Sequence, residues 1–173
     1  EYREDESGYW DDGPEKLHNV YRKTIKDKGS FEQTMNGIQM LKDYQIPFNT
    51  LTTVNRANMD RAHEVYEFLR GLTDYMQFLP VVECFPAEYE KSEGQKFAIP
   101  QGIHAYKIKH PLMPFSVTPE GYGRFLCEIF DCWYKKDAGK KHVQLIDVTL
   151  GNIKGIASSL CVHHPLCGHS GCV

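Results

Sequence analysis

The clearest hydrophobic period in the chain begins at Ser30. Phe31, Met35, Ile38, Leu41 and Tyr44 recur at three or four residues, and Ser30 with Gln33 has the form of a capping box, so the pattern predicts a helix ending near Gln45. Upstream, Pro14 suits the first turn of a shorter helix, PEKLHNVYR, because that position has no use for an amide hydrogen. Downstream, IPFNTLTTV (46–54) is rich in β-branched residues and stops at the turn-prone stretch 55–58, which predicts a strand. A helix from Met59 to Leu72 places Ala62, Val65, Tyr66 and Leu69 on one face. YMQFLPVVE (75–83) then reads as a second strand, whose Pro80 fits a strand leaving its sheet at a functional rim. Thr118 and Pro119 open a helix with Phe125, Leu126, Ile129, Phe130 and Trp133 as its apolar stripe. After a turn at 137–139, HVQLIDVTL (142–150) reads as a third strand. Residues 1–9, EYREDESGY, hold four acidic side chains without a period and read as a solvated leader.

Helices alternate with strands and no hairpin turn joins the strands, which implies parallel βαβ units with right-handed crossovers. Three such strands cannot close a barrel, so an open edge is expected. Between Glu83 and Thr118 lies a segment with Pro86, Gly94, Pro100, Gly102, Pro111 and Pro114 and little periodicity. Loops of that length inside a compact domain tend to be functional or disordered.

Composition narrows the function class. At 173 residues the chain can form one domain with a core, and 41% hydrophobic with 25% charged residues is ordinary for a globular protein. A formal net charge of −3 gives no electrostatic case for nucleic acid or an anionic membrane, and the densest basic cluster, KKDAGKK (135–141), reads as a solvated turn. There is no apolar run of ~18 residues and no signal peptide in the first twenty, so the expected location is the cytoplasm. The six cysteines are then expected to be reduced thiols or metal-bound thiolates.

The chain ends on SSLCVHHPLCGHSGCV, with Cys161, Cys167 and Cys172 spaced C-x5-C-x4-C. A five-residue gap is off pattern for zinc, whereas iron–sulfur clusters accept more varied spacing. His163, His164 and His169 are rival ligands or outer donors, free thiols are the alternative, and no fourth ligand stands out upstream. Cys84, Cys127 and Cys132 read as small buried thiols. In DDGP (11–14), Asp12 and Gly13 follow an expected strand and precede a helix, the place for ribose or phosphate contact in α/β folds, although many such dipeptides are only turns. VNRAN (54–58) is either a polar rim or a helix cap at Asn58, and His18 and His63 read as surface or satisfied residues. Asp147, amid apolar residues of the third strand, either makes a polar contact at the mouth of a partial barrel or faces solvent. No nucleophile-and-base pair and no phosphate loop can be argued.

The chain resembles the middle of the anaerobic sulfatase-maturating enzymes, which are radical S-adenosylmethionine enzymes with a SPASM-type auxiliary cluster domain. The matching stretches are DGPEKLHNVYR (12–22), FNTLTTVNRAN (48–58), YMQFLPVVE (75–83), EGYGRFLCEIFDCWYKKDAGKKHVQLIDVTLGNI (120–153) and SSLCVHHPLCG (158–168). The resemblance implies an α/β fold: part of a (β/α) radical-SAM partial barrel over 12–157, after an atypical leader at 1–11, and the start of a cysteine-rich SPASM-type domain at 158–173. It also implies S-adenosylmethionine and [4Fe–4S] clusters as cofactors, with Asp12 and Gly13 at the cofactor and Cys161 and Cys167 as the first two auxiliary-cluster ligands. The implied reaction oxidises a cysteine or serine of a sulfatase polypeptide to Cα-formylglycine, with flavodoxin or ferredoxin as electron donor and neither nucleic acid nor membrane as partner.

Cys172 matches no family ligand and reads as a free thiol. The aspartate expected to accept the proton would lie beyond residue 173, so no catalytic residue is assigned within the chain. The CxxxCxxC loop and the GGE segment do not occur, and Trp10 stands where the family usually has a serine facing the cofactor. The expectation is therefore an internal fragment, inactive alone. The alternatives are a zinc-binding module using Cys161, Cys167, Cys172 and a histidine, or a radical enzyme of the same SPASM group that modifies another peptide through the segment 84–117.

Overall fold

A computed structural model describes residues 7–83, 112–158, 160, 163 and 164. Four strands form one sheet in the order β1 (Ser7–Trp10), β2 (Phe48–Val54), β3 (Tyr75–Pro80) and β4 (His142–Val143), all parallel. Trp10 lies opposite Leu51, Val54 opposite Pro80 and Tyr75 opposite His142. The intervening helices are α1 (Glu15–Tyr21), α2 (Phe31–Asp43), α3 (Ala62–Leu69) and α4 (Pro119–Lys136), with α5 (Gln144–Ile153) after β4.

Because strand side chains alternate between faces, the two sides of the sheet have different fates. Val54, Met76, Phe78 and Val143 point into a core built with Val65, Tyr66 and Leu69 of α3 and Phe125, Ile129 and Trp133 of α4. The α3 stripe is that anticipated from the sequence, and on α4 Phe125, Ile129 and Trp133 are buried as anticipated with Leu126 packed beside them, while Phe130 is exposed. On the opposite face Leu51, Thr53, Gln77 and Leu79 remain partly or largely open, as the concave side of an unclosed barrel does.

Two expectations fail in informative ways. The acidic leader contains β1, whose Asp11 amide continues the ladder onto Leu51 O at 3.1 Å. A four-residue strand paired on one side needs no hydrophobic period to form. The run 142–150 is a strand for only two residues and then helix α5, with Ile146 buried, Leu150 packed against the core and the Thr149 hydroxyl bonded back to Leu145 O. Ile146 and Leu150 are four apart, so one helical face explains the apolar residues as well as a strand would.

The capping box also takes another form. Ser30 makes no side-chain cap; instead Asn19 Oδ1 accepts the amide of Phe31 at 3.0 Å. Thr118 does cap α4, accepting from Gly121 N at 3.0 Å. A Cβ at Gly121 would come within 2.7 Å of Met59 Sδ, so glycine lets α4 sit close against the turn after β2.

Asp137, after α4, ties the two outer helices together. Its buried carboxylate accepts from Arg70 Nε at 2.7 Å, Arg70 Nη2 at 2.8 Å and Tyr66 Oη at 2.8 Å. The Arg70 guanidinium foremost, against the opposing effect of burial and with help from Tyr66, holds this carboxyl down at about 2. A folded-state value below the ordinary 3.8 means that the unfolded chain binds the proton first as pH falls. The contribution is therefore complete above pH ~4 and is lost between there and pH ~2. Asp137→Asn is expected to lower stability at neutral pH by about 1–3 kcal/mol and to flatten the acid limb in that window, as read by urea unfolding across pH.

Candidate functional site at the carboxyl rim

In open parallel sheets ligands gather beyond the carboxyl ends of the strands. Here that rim is made by Trp10 to Pro14, by Thr53 to Met59, and by residues 81–83 meeting 112–117. Val81 N bonds Val54 O, Val117 N bonds Val81 O, and Arg56 N bonds Phe115 O, each at 2.9 Å. The two described ends of the long segment are thereby stitched to the same edge of the sheet.

Asp12 is the centre of the rim. Its Oδ1 accepts from Thr53 N at 3.0 Å, Thr53 Oγ1 at 2.5 Å and Arg22 Nη2 at 3.3 Å, and its Oδ2 accepts from Arg22 Nε at 3.0 Å. One 2% exposed carboxylate thus binds the end of β1, the end of β2 and the residue that closes α1. Its oxygens are used internally. Gly13 has φ +112°, and a Cβ there would stand 3.0 Å from Val65 Cγ2, so the loop needs glycine for both conformation and space. The Gly13 amide is taken by Asp11 Oδ1 at 2.9 Å.

Beneath the loop, Asp11 Oδ1 lies 3.3 Å from His18 Nδ1, and His18 Nε2 lies 3.1 Å from Ser30 Oγ. This has the outline of a serine–histidine–aspartate relay. The Ser30 hydroxyl, however, donates to Arg22 O at 3.1 Å, so its proton is engaged and the imidazole donates to it. His18, 1% exposed, is the satisfied histidine expected from the sequence, and it holds the loop down without activating a nucleophile. Asp11 Oδ2 is buried and unpartnered among the described residues.

Asn58 serves as both rim and staple. Its Oδ1 accepts from Asn55 N at 2.8 Å, and its Nδ2 donates to Thr53 O at 2.9 Å and to Asp12 O at 3.2 Å, with no exposure at all. What the sequence did not reveal is the part played by Arg22 and Thr53. The signal is only that a basic residue closes the helix following an acidic turn, and such pairs are too common to single out.

Lower on the concave side, a cleft of about 330 Å³ is bounded by Asn49, Tyr75, Gln77, His142, Asp147 and Ile156. Asp147 stands in the first turn of α5 rather than on a strand, and its carboxyl is pushed up by burial against the lowering effect of His142, whose Nδ1 is 3.4 Å away. It is a polar contact on the concave side.

Cys84, Cys161, Cys167, Cys172 and His169 lie outside the described residues. Among the described residues no group of three or more His, Cys, Asp or Glu is placed to hold a metal. Cys127 is exposed and Cys132 half-buried on α4, both free, with the Cys132 thiol pushed up by burial. His63 is exposed. No described helix is long and apolar enough to cross a membrane.

The parallel sheet, its one-sided core and its knotted carboxyl rim define an α/β protein built as part of an open barrel. The solved structures of native anSMEcpe with bound AdoMet, alone and with the Cp18Cys peptide, share this fold at a TM-score of 0.69, with 23% and 24% identity over 89% of this chain. No protein-family profile matches the chain. It is 36% identical over 162 residues to the serine-type anaerobic sulfatase-maturating enzyme of Bacteroides thetaiotaomicron and 27% identical over 147 residues to the cysteine-type enzyme of Clostridium novyi. The matches cover 92% and 82% of this chain but 37% and 34% of those enzymes. The chain is thus a homologue of the anaerobic sulfatase-maturating enzymes over about a third of their length, as the resemblance in its motifs implied.

Removing Asn58 tests how tightly the rim is held. Asn58→Ala leaves Asp12 O and the Asn55 amide without their partner in a dry setting, and is expected to cost about 2–4 kcal/mol. Chemical denaturation of the variant measures this. A loss under 0.5 kcal/mol, the order seen for ordinary surface positions, would show that the staple is dispensable.

Proposed function

We propose that this chain is part of a radical S-adenosylmethionine maturase that oxidises a cysteine or serine of a sulfatase polypeptide to Cα-formylglycine, and that it does not act alone. The observation that carries the reading is the coincidence of two matches over nearly the whole chain, one to enzymes named for sulfatase maturation and one to AdoMet-bound structures of the same fold. The donor set at the rim fits the cofactor in a particular way. Asp12 and Gly13 shape the cofactor-facing loop rather than offering free oxygens or amides, since both are already bonded within the protein. The open surface is supplied by their neighbours.

When bound, the cofactor supplies a one-electron oxidant able to take hydrogen from the β-carbon of the target residue. The chain's own residues hold the rim rigid, present its concave side to a peptide, and keep the Asp11–His18 pair buried beneath it. Cys161 and Cys167, soft thiolates in the C-x5-C pattern, are the proposed first two ligands of an auxiliary [4Fe–4S] cluster at the start of a SPASM-type domain. No CxxxCxxC occurs among the 173 residues, so the radical-generating cluster has no ligand set here. A flavodoxin- or ferredoxin-type donor and a cytoplasmic setting belong to the same reading.

Two measurements test it. Anaerobic reconstitution with iron and sulfide is expected to yield protein-bound iron with labile sulfide that Cys161→Ala and Cys167→Ala each reduce by more than half. Zinc without labile sulfide would instead support a zinc module. With a strong reductant, the pure chain is expected to form no 5′-deoxyadenosine from S-adenosylmethionine. Catalytic formation would overturn its dependence on further protein.

A further inference from the structure

We propose that the cleft on the concave side is a binding site for a primary ammonium group carried on an apolar stem, with the Asp147 carboxylate as counter-charge and Asn49 Oδ1 as a neutral acceptor. The proposal goes beyond the cofactor reading and does not depend on it. Its first ground is a buried polar atom without a partner. Asn49 stands on β2 opposite Gly8 of β1 and two residues before Leu51, so its side chain shares the concave face. The residue is 8% exposed and lines the cleft, yet its Oδ1 has no hydrogen-bond partner among the described residues. Buried amide oxygens are nearly always paired, and an unpaired one beside an open volume marks the place of a missing donor.

The second ground is charge. Asp147 is the one carboxylate among the described residues that line the cleft, and these include neither lysine nor arginine. His142 is its nearest ionisable neighbour, with Nδ1 3.4 Å from Asp147 Oδ2. Burial nevertheless pushes the Asp147 carboxyl up against the lowering effect of that ring, so the ionised form stands to gain from a cation placed beside it. Tyr75 and His142, stacked with ring centroids 4.8 Å apart, add aromatic surface, which also favours a positive charge. Val148 and Ile156 supply an apolar wall for the stem. The volume, about 330 Å³, lies at the small end of the range of ligand pockets. An anion would meet the carboxylate, and a wholly apolar ligand would leave both acceptors dry and unpaired.

The experiment titrates the whole chain at neutral pH with n-butylammonium and, separately, with acetyl-lysine methylamide, and follows the methylene protons by saturation-transfer NMR. n-Butanol serves as the uncharged control. Saturable binding in the millimolar range is expected, with n-butanol weaker by about tenfold. Asp147→Asn removes the counter-charge and is expected to weaken ammonium binding about tenfold. Asn49→Leu keeps a side chain of similar size without the unpaired oxygen, so it is expected to leave the urea midpoint in place while weakening binding about fivefold. A purely structural role for Asn49 would move the midpoint and not the binding. Capped lysine binding at least as tightly as n-butylammonium would assign the site to a peptide side chain, and binding of the free amine alone would assign it to a small-molecule amine. Equal binding of n-butanol, undiminished binding in either variant, or no binding to the native chain would overturn the proposal, and none of these would touch the cofactor reading.

Discussion

The rim depends on one carboxylate. Asp12 is bound by a guanidinium from the end of α1 and by the amide and hydroxyl of Thr53 on β2, so a single buried charge fixes the relative positions of three elements. Burying a carboxylate is costly unless it is paired and its lone pairs are filled, and here both conditions are met. Loss of either partner would leave the other exposed to that cost, which makes the arrangement cooperative. The Asp12 carbonyl is held as well, by Asn58, so the loop is bound through side chain and backbone together.

Around this centre the molecule separates rigidity from contact. The helix-covered face of the sheet is apolar and closed, and the Asp137 carboxylate joins α3 to the end of α4 on the outside. The concave face keeps mixed, half-open side chains from Leu51 to Leu79. A parallel sheet packed on one face only leaves its other face available for contact.

Much of this was legible from residue patterns, and the exceptions have physical reasons. The helices 31–43 and 119–136 and the strands 48–54 and 75–80 are long enough for period and β-branching to show, and core packing reinforced all but the first, of which only Ile38 is buried. A strand was expected before Asp12, but β1 did not show in the local pattern, because a strand beside an acidic run draws its stability from the neighbouring ladder and not from its own apolar residues. Residues 142–150 misled because a short apolar run fits both periods, and the core beneath Ile146 and Leu150 decided the matter. At the rim, Asp12 and Gly13 could be located by their place between strand and helix, but not the bonds that occupy them. Those bonds come from Arg22 and Thr53, 10 and 41 residues along the chain, and a one-dimensional pattern does not contain that proximity.

The stitching at the far side of the rim has an evolutionary corollary. Glu83 O accepts from Met113 N at 2.8 Å and from Ser116 Oγ at 3.0 Å, while Ser116 Oγ receives the Glu83 amide at 2.9 Å. This small knot closes the chain on itself wherever the intervening stretch leads. Loop-closure entropy grows only with the logarithm of length, about 0.6 kcal/mol for each doubling. Once the knot is made, the stretch between Glu83 and Met113 can lengthen, shorten or change its chemistry at little thermodynamic cost and without disturbing the Asp12 loop across the rim. Such a closure lets that stretch vary while the scaffold beneath it stays fixed.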